Sequence, residues 1–295
     1  MEDTVIKRFA FLFGLAAVAA MLCAQQSVEA VTYNIEKDYL LYGNLDQDDI
    51  PGIGACACGP TAAVNSFVYL ENAYPCPYNS WLIPDTNPAN GLRDYQELID
   101  VATILAGANY MNTKPGIGTW DDMFIYGKWK YIEGQLPYHT IYEAQTSFTW
   151  GRLDARPADE IPPIEKPSWV ADNTYPTWQF IYNELLDCED VEILVNWYEG
   201  GHFLTLTSFH WDDVDDDGFI DFDENAWIDY IDPQTGAWGQ SKIWHSGTGF
   251  IETDLASGAW ISMAVSESPI IPEPTTIVLI GCALVAMAGV VRRKF

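Results

Sequence analysis

Apolar positions along this chain change their period midway. In the first half they recur at steps of three and four, the spacing of a helix face; in the second they crowd into β-branched and aromatic runs. Val64, Phe67, Val68 and Leu70 predict a helix over Gly59 to Asn72, with Pro60 in the first turn, where a missing N–H costs nothing. "GLRDYQELIDVATILAG" predicts a second helix closed by Gly107. "TWDDMFIYGKWKYIEG" predicts a third, capped by Thr119, and "PTWQFIYNELLDC" a fourth. Between the last two, "RLDARPADEIPPIEKPSWVADNTYP" is proline-rich and reads as a long surface loop or an internal boundary. The strands follow: "VEILVNWY", "HFLTLTSFHW", "AWIDYID" and "GAWISMAV". Helices first and strands second predict an α+β domain whose helical half faces an antiparallel sheet.

The ends of the chain carry a different pattern. Residues 1–30 read as a secretory signal: Lys7 and Arg8, then the short apolar run "FAFLFGLAAVAAMLCA", then a small-residue cleavage site at Val28-Glu29-Ala30. At the other end Pro272-Glu273-Pro274 precedes an apolar run over 275–291, the short limit for a spanning helix, and then Arg292-Arg293-Lys294. Motif, span and basic end, in that order over residues 272–295, resemble the PEP-CTERM sorting tail of Gram-negative bacteria. That resemblance implies an exosortase as processing partner, a membrane anchor through the C-terminal helix, a cell-envelope or cell-surface location, and an association with exopolysaccharide.

The segment between, about 31–268, is long enough for one large domain with a real core. The chain has 295 residues, 14 Lys and Arg against 42 Asp and Glu, and a formal net charge of −28. Such a surface repels nucleic acid and suits calcium or cationic partners. Four cysteines fall in the exported segment, Cys56, Cys58, Cys76 and Cys188, and a Cys76–Cys188 bridge is the expected pair.

Cys58 stands at the mouth of the first helix, where unsatisfied N–H groups favour a thiolate. A thiolate nucleophile needs a base, and the base needs a group that orients it. Gly200-Gly201-His202 opens one predicted strand and Asp232-Pro233 closes another, so adjacent antiparallel strands would bring His202 beside Asp232 and both to Cys58. "CGPTAAVNSF", "GGHFLTL" and "YIDPQTG", in that order over Ile50 to Gly236, resemble the papain-fold cysteine peptidases of the bacteriocin-leader-processing, double-glycine type. The resemblance implies a papain-like fold with a helical N-terminal and an antiparallel β C-terminal half. It makes Cys58 the nucleophile, His202 the general base and acid, and Asp232 the orienter. The family carries a Gln about six residues before the nucleophile as oxyanion donor. Here Gly52 occupies that position, and Gln47, farther upstream, serves if the loop is longer. Cys56 admits a disulfide, a redox guard or a buried small residue. His139, His210 and His245 lack the glycine context and read as surface or structural.

"DVDDDGFIDFDE", Asp213 to Glu224, matches a twelve-residue calcium loop. Asp213, Asp215 and Asp217 take positions one, three and five, with Gly218 at the turn. Phe219 offers its carbonyl at seven, Ile220 is the apolar eighth, Asp221 takes nine and Glu224 twelve. The loop resembles those of EF-hand and dockerin proteins, although β-like segments flank it. The expectation is an exported, Ca²⁺-binding cysteine peptidase-like hydrolase acting on a peptide or protein substrate. The alternatives are a catalytically inactive papain-fold binding or matrix protein, and a structural surface protein whose cysteines are all bridged.

Overall fold

A computed structural model of the chain describes residues 30–86, 94–153, 156, 165–187 and 189–270. The expected signal segment 1–30, apart from Ala30, the expected sorting tail 272–295 with its membrane helix 275–291, and Cys188 lie outside the described residues. No helix among the described residues is long and apolar enough to cross a membrane.

The first predicted helix is α1, Cys58–Ala73, and it is buried on every side from Cys58 to Glu71. A helix surrounded in this way must satisfy its polar side chains internally. Asn65 Oδ1 accepts the Leu45 N–H at 2.8 Å, and Glu71 Oε1 accepts those of Leu82 and Ile83 at 2.7 and 3.0 Å. These bonds pin the surrounding loops to the helix. A short turn, α2 (Pro75–Tyr78), follows it, and α3 (Tyr95–Ala106) opens on a capping box made by Asp94 and Glu97. The third predicted helix is α4, Asp121–Gln135. Trp120, not Thr119, precedes its first turn, and no side chain caps it. The Thr119 hydroxyl instead meets Thr113 Oγ1 at 2.7 Å. The last helix, α5 (Trp178–Leu186), is capped by Thr177, whose side chain accepts the Phe180 N–H.

Nine strands form one sheet: β1 (Val31–Glu36), β2 (Thr140–Thr146), β3 (Val170–Asp172), β4 (Asp190–Trp197), β5 (Gly200–Asp213), β6 (Asn225–Asp232), β7 (Ala237–His245), β8 (Ile251–Thr253) and β9 (Ala259–Pro269). The fold is therefore α+β with one large mixed sheet. Because β4 pairs with both β5 and β9, strands β4 to β9 close into an antiparallel ring. Outside the ring, β1 extends one edge of β5, β2 extends β9, and β3 lies parallel to β2. The N-terminal half thus contributes strands to a sheet that the sequence pattern assigns to the C-terminal half.

Alternation along the ring strands separates two cores. Val191, Ile193 and Val195 of β4 join Leu204, Leu206, Phe209 and Trp211 of β5 in the core to which every ring strand contributes. Leu194 of β4 and Phe203 of β5 belong to the other core, with α1, α3 and α4. Thr205 donates to the Ala62 carbonyl at 2.9 Å and ties β5 to α1. These contacts bring the N-terminus of α1 to the end of the ring where β5 begins.

Candidate active site

Cys58 is the first residue of α1 and is buried. A 3₁₀ turn, Gly54–Cys56, delivers the chain to it, and the first helical bond runs from the Thr61 N–H to the Ala57 carbonyl at 3.0 Å. The Cys58 and Gly59 amides precede that bond, so helix geometry leaves both without an intrahelical acceptor, while Pro60 has no N–H to leave. Glycine at 59 has a packing reason. A Cβ there would lie 2.9 Å from Thr119 Oγ1 and 3.0 Å from its Cβ, so only glycine lets the segment before α4 close over the helix mouth.

His202 and Asp232 come from adjacent strands. His202 Nε2 lies 2.8 Å from Asp232 Oδ1, and Cys58 is near enough to act on the same imidazole electrostatically. The structure thus brings sulfur, imidazole and carboxylate together in the predicted order. Burial alone would push the His202 imidazole toward its neutral form. The hydrogen bond to Asp232 and then the neighbouring Cys58 outweigh it, holding the imidazole up at about 9. Asp232 is itself partly buried, which opposes ionisation, but His202 and the Gln234 N–H, 2.8 Å from Oδ1, hold its carboxyl below the usual range. A Cβ at Gly201 would stand 2.4 Å from Asn196 Oδ1, so a side chain there would displace that amide.

Gln47 is buried in a 3₁₀ turn, Gln47–Asp49, ahead of the nucleophile. Its N–H donates to the Pro233 carbonyl at 2.7 Å, next to Asp232, and its Nε2 donates to the Ala55 carbonyl at 3.2 Å. The long spacing from Gln47 to Cys58 is therefore taken up in consecutive tight turns. Gly52 and Gly54 make them possible, at φ of 82° and 39°, where a side chain would be strained. Gln47 Oε1 is buried with no hydrogen-bond partner among the described residues.

A cavity of about 150 Å³ opens beside the sulfur. Cys58 and Gly201 line it on the catalytic side; Trp120, Asp121, Phe148 and Arg152 line it opposite. This second wall was not anticipated from the sequence. The Arg152 guanidinium lies over Phe148, 3.8 Å from the ring centroid, and 5.3 Å from that of Trp120. Its signal in the sequence is weak: an arginine at the head of a proline-rich segment, in a chain with few cations.

The acidic loop lies at the other end of the β5–β6 hairpin. Asp213, Asp215 and Glu224 bring carboxylate oxygens within 4.8 Å of one another. Asp213 Oδ2 accepts the Gly218 N–H at 3.2 Å, while its Oδ1 is buried without a partner among the described residues. Gly218 turns at φ 75°, and Phe219 N–H bonds Asp217 Oδ1 at 2.7 Å. Ile220 is fully buried in the ring core and pairs with His245, donating to Nδ1 at 2.7 Å and accepting the His245 N–H at 2.8 Å. Glu224 Oε1 accepts the Val214 N–H, and its Oε2 accepts those of Trp211 and Asp221. A closed loop with converging carboxylates and an unspent buried oxygen on Asp213 fits a hard cation. Asp217, Asp221 and the Phe219 carbonyl lie on the same turn.

The remaining candidates are structural. Cys56, Cys58 and Cys76 are free thiols, so the reading in which every cysteine is bridged does not hold; Cys188, expected to pair with Cys76, lies outside the described residues. Cys56 Sγ accepts the Gly116 N–H at 3.0 Å. His210 stacks on Trp227 at 3.8 Å, His245 serves the acidic loop, and His139 is exposed. No family model matches this chain, and no curated protein matches it.

Proposed function

We propose that this chain is an exported, calcium-stabilised cysteine peptidase-like hydrolase with a papain-like arrangement of helix and sheet. The observation that carries the reading is the meeting of Cys58, His202 and Asp232 at the mouth of a buried helix, beside an open cleft. His202, whose hold on a proton is raised, takes the proton of the Cys58 thiol. The Cys58 sulfur attacks the carbonyl carbon of a peptide or isopeptide bond, and the carbonyl electrons move onto oxygen. The Cys58 amide and the second Nε2 hydrogen of Gln47 are the donors for that oxyanion. His202 gives its proton to the departing amine as the C–N bond breaks, leaving a thioester on Cys58. His202 then takes a proton from water, whose oxygen attacks the thioester, and the acid leaves as the sulfur recovers its electrons.

Asp213, Asp215, Asp217, Asp221, Glu224 and the Phe219 carbonyl would hold one Ca²⁺. Bound there, the ion supplies charge neutralisation to a loop of converging carboxylates. The sequence of residues 1–30 and 272–295 supports export, exosortase handling and a cell-surface location.

Labelling with a thiol-directed epoxide, read by intact-protein mass and peptide mapping, tests the enzyme reading. One adduct at Cys58 is expected, lost in Cys58→Ala and suppressed in His202→Ala. Labelling of Cys56 or Cys76 in place of Cys58, or indifference to His202, overturns it and favours a binding protein on the same fold.

A further inference from the structure

We propose that Arg152 is a specificity-determining residue that binds a carboxylate of the substrate within the cleft beside Cys58. The inference rests on the peptidase reading and names a chemical class for its substrate.

Three observations carry it. Among the described residues Arg152 is the one cationic side chain lining the cavity that Cys58 lines. It is held there, since the face of Phe148 backs the guanidinium and Trp120 packs near it, with the Arg156 guanidinium also 4.8 Å from the Trp120 ring. Arg156 in turn is fixed by an ion pair with Asp122, whose other oxygen accepts the Gly151 N–H at 3.0 Å. A planar fork fixed before binding loses little freedom when it meets a carboxylate.

Its hydrogen-bonding capacity is also largely unspent. Arg152 forms an ion pair with Asp121 at 3.6 Å, too long for a hydrogen bond, and Arg152 Nε and Asp121 Oδ1 make no hydrogen bond among the described residues. Asp121 offers an opposite reading, in which the cleft takes a cationic side chain. Exposure decides between them: the Arg152 side chain is 23% exposed and that of Asp121 only 2%. A substrate reaches the guanidinium first.

The overall charge of the chain argues that this contact is local. At −28 the protein repels an acidic peptide at long range, so acceptance of one depends on a cation inside the site. The carboxylate has two sources, an Asp or Glu side chain near the scissile bond or a free chain terminus.

The test uses peptidyl epoxides carrying Glu, Gln or Lys at each of the two residues nearest the reactive group. A matched pair ends in a free carboxylate or an amide. Rates of Cys58 labelling are compared for the native chain and Arg152→Met, which keeps an apolar stem and removes the guanidinium. Charge-assisted contacts of this kind are worth roughly tenfold. A carboxylate probe should label about ten times faster than its neutral partner, and the ratio should fall to about one in Arg152→Met. The side-chain and terminal arms identify the source. Equal rates, or a preference for Lys, overturn the inference while the peptidase reading stands, and the native chain alone gives that answer if the variant does not fold. If no probe labels Cys58, the peptidase reading fails and takes this one with it.

Discussion

His202 and Asp232 meet at 2.8 Å although they are not partners in the β5–β6 ladder. The last paired residues on that side are Thr205 and Ile231, and a register shift between Leu206 and Ser208 separates them from the rest of the hairpin. Asp232 reaches the imidazole from the turn that ends β6. There its own carbonyl accepts the Gly236 N–H at 2.8 Å, and Oδ1 also takes the Gln234 N–H. The turn demands Gly236, at φ 62°, because a Cβ would fall 2.2 Å from the Asn44 carbonyl oxygen. The carboxylate is thus oriented by backbone before it orients the base.

That arrangement sets a pH profile. His202 is raised from 6.5 to about 9, so its protonated form is the one the fold favours. Its contribution to stability is fully present below the unfolded value and is lost as pH rises through about 9. Hydrolysis should lose its acid, and fall, over the same upper range. In Asp232→Asn the upper limb should move to lower pH. Measuring kcat/KM and Cys58 alkylation rates from pH 6 to 10 checks this. A limb unmoved by the substitution would show that Asp232 does not govern the imidazole.

Gln47 is the proposed side-chain oxyanion donor. Removing one such donor costs about a hundredfold or more in kcat. Gln47→Ala should therefore lower kcat by about that factor with little change in KM, measured on any peptide the native chain cleaves. A loss confined to KM would assign Gln47 to substrate binding.

The acidic loop and the catalytic pair occupy opposite ends of β5. Eleven residues separate His202 from Asp213, roughly 35 Å at ~3.3 Å per residue. An ion in the loop therefore acts on the hairpin as a whole. Binding at ten times Kd contributes about 1.4 kcal/mol, a shift of a few degrees in Tm for a domain of this size. EDTA should lower Tm by about that much, calcium should restore it, and Asp213→Asn should abolish the difference. Cys58 alkylation at 25 °C should stay unchanged. Differential scanning calorimetry beside the alkylation assay reads both.

The local elements were the most legible part of the fold. Among the described residues all four long helices begin within four residues of their expected starts, because the apolar period marks them. Thr119 misled as a cap, since its hydroxyl is drawn to Thr113 and its Cβ to Gly59, contacts set by tertiary structure. The first strand, "VTYNIE", alternates weakly, and its exposed face gives little apolar signal, so β1 escaped notice. Ring closure through β4 and β9 depends on pairings that no local pattern encodes. The candidate site residues Cys58, His202 and Asp232 were legible because each carries a local mark: a helix mouth, a double glycine, an Asp-Pro turn. Arg152 carries none, and its place follows only from the packing of Trp120 and Phe148.

Lys128 shows the same limit, since nothing in "FIYGKWKY" distinguishes it from Lys130. Yet Lys128 is fully buried, where its Nζ meets Asp190 at 3.2 Å, Glu192 at 2.5 Å and Glu267. It joins α4 to β4 and β9. One cation cannot neutralise three carboxylates, and burial pushes Asp190 up to about 7 and Glu267 well above its ordinary value. Removing the cation from such a group leaves uncompensated buried charge, so Lys128→Met should cost about 3–5 kcal/mol. The sign with pH follows from the acids. Their raised values mean that the folded state takes up protons more readily than the unfolded chain, so this contribution to stability declines as pH rises from about 4 through 7. The loss in Lys128→Met should therefore be largest above pH 7 and shrink toward pH 5. Adding Glu192→Gln and Glu267→Gln should recover part of it. Urea denaturation of the variants at pH 5, 7 and 8 measures all three effects, and a loss independent of pH would mean that the lysine stem, not its charge, supports the core.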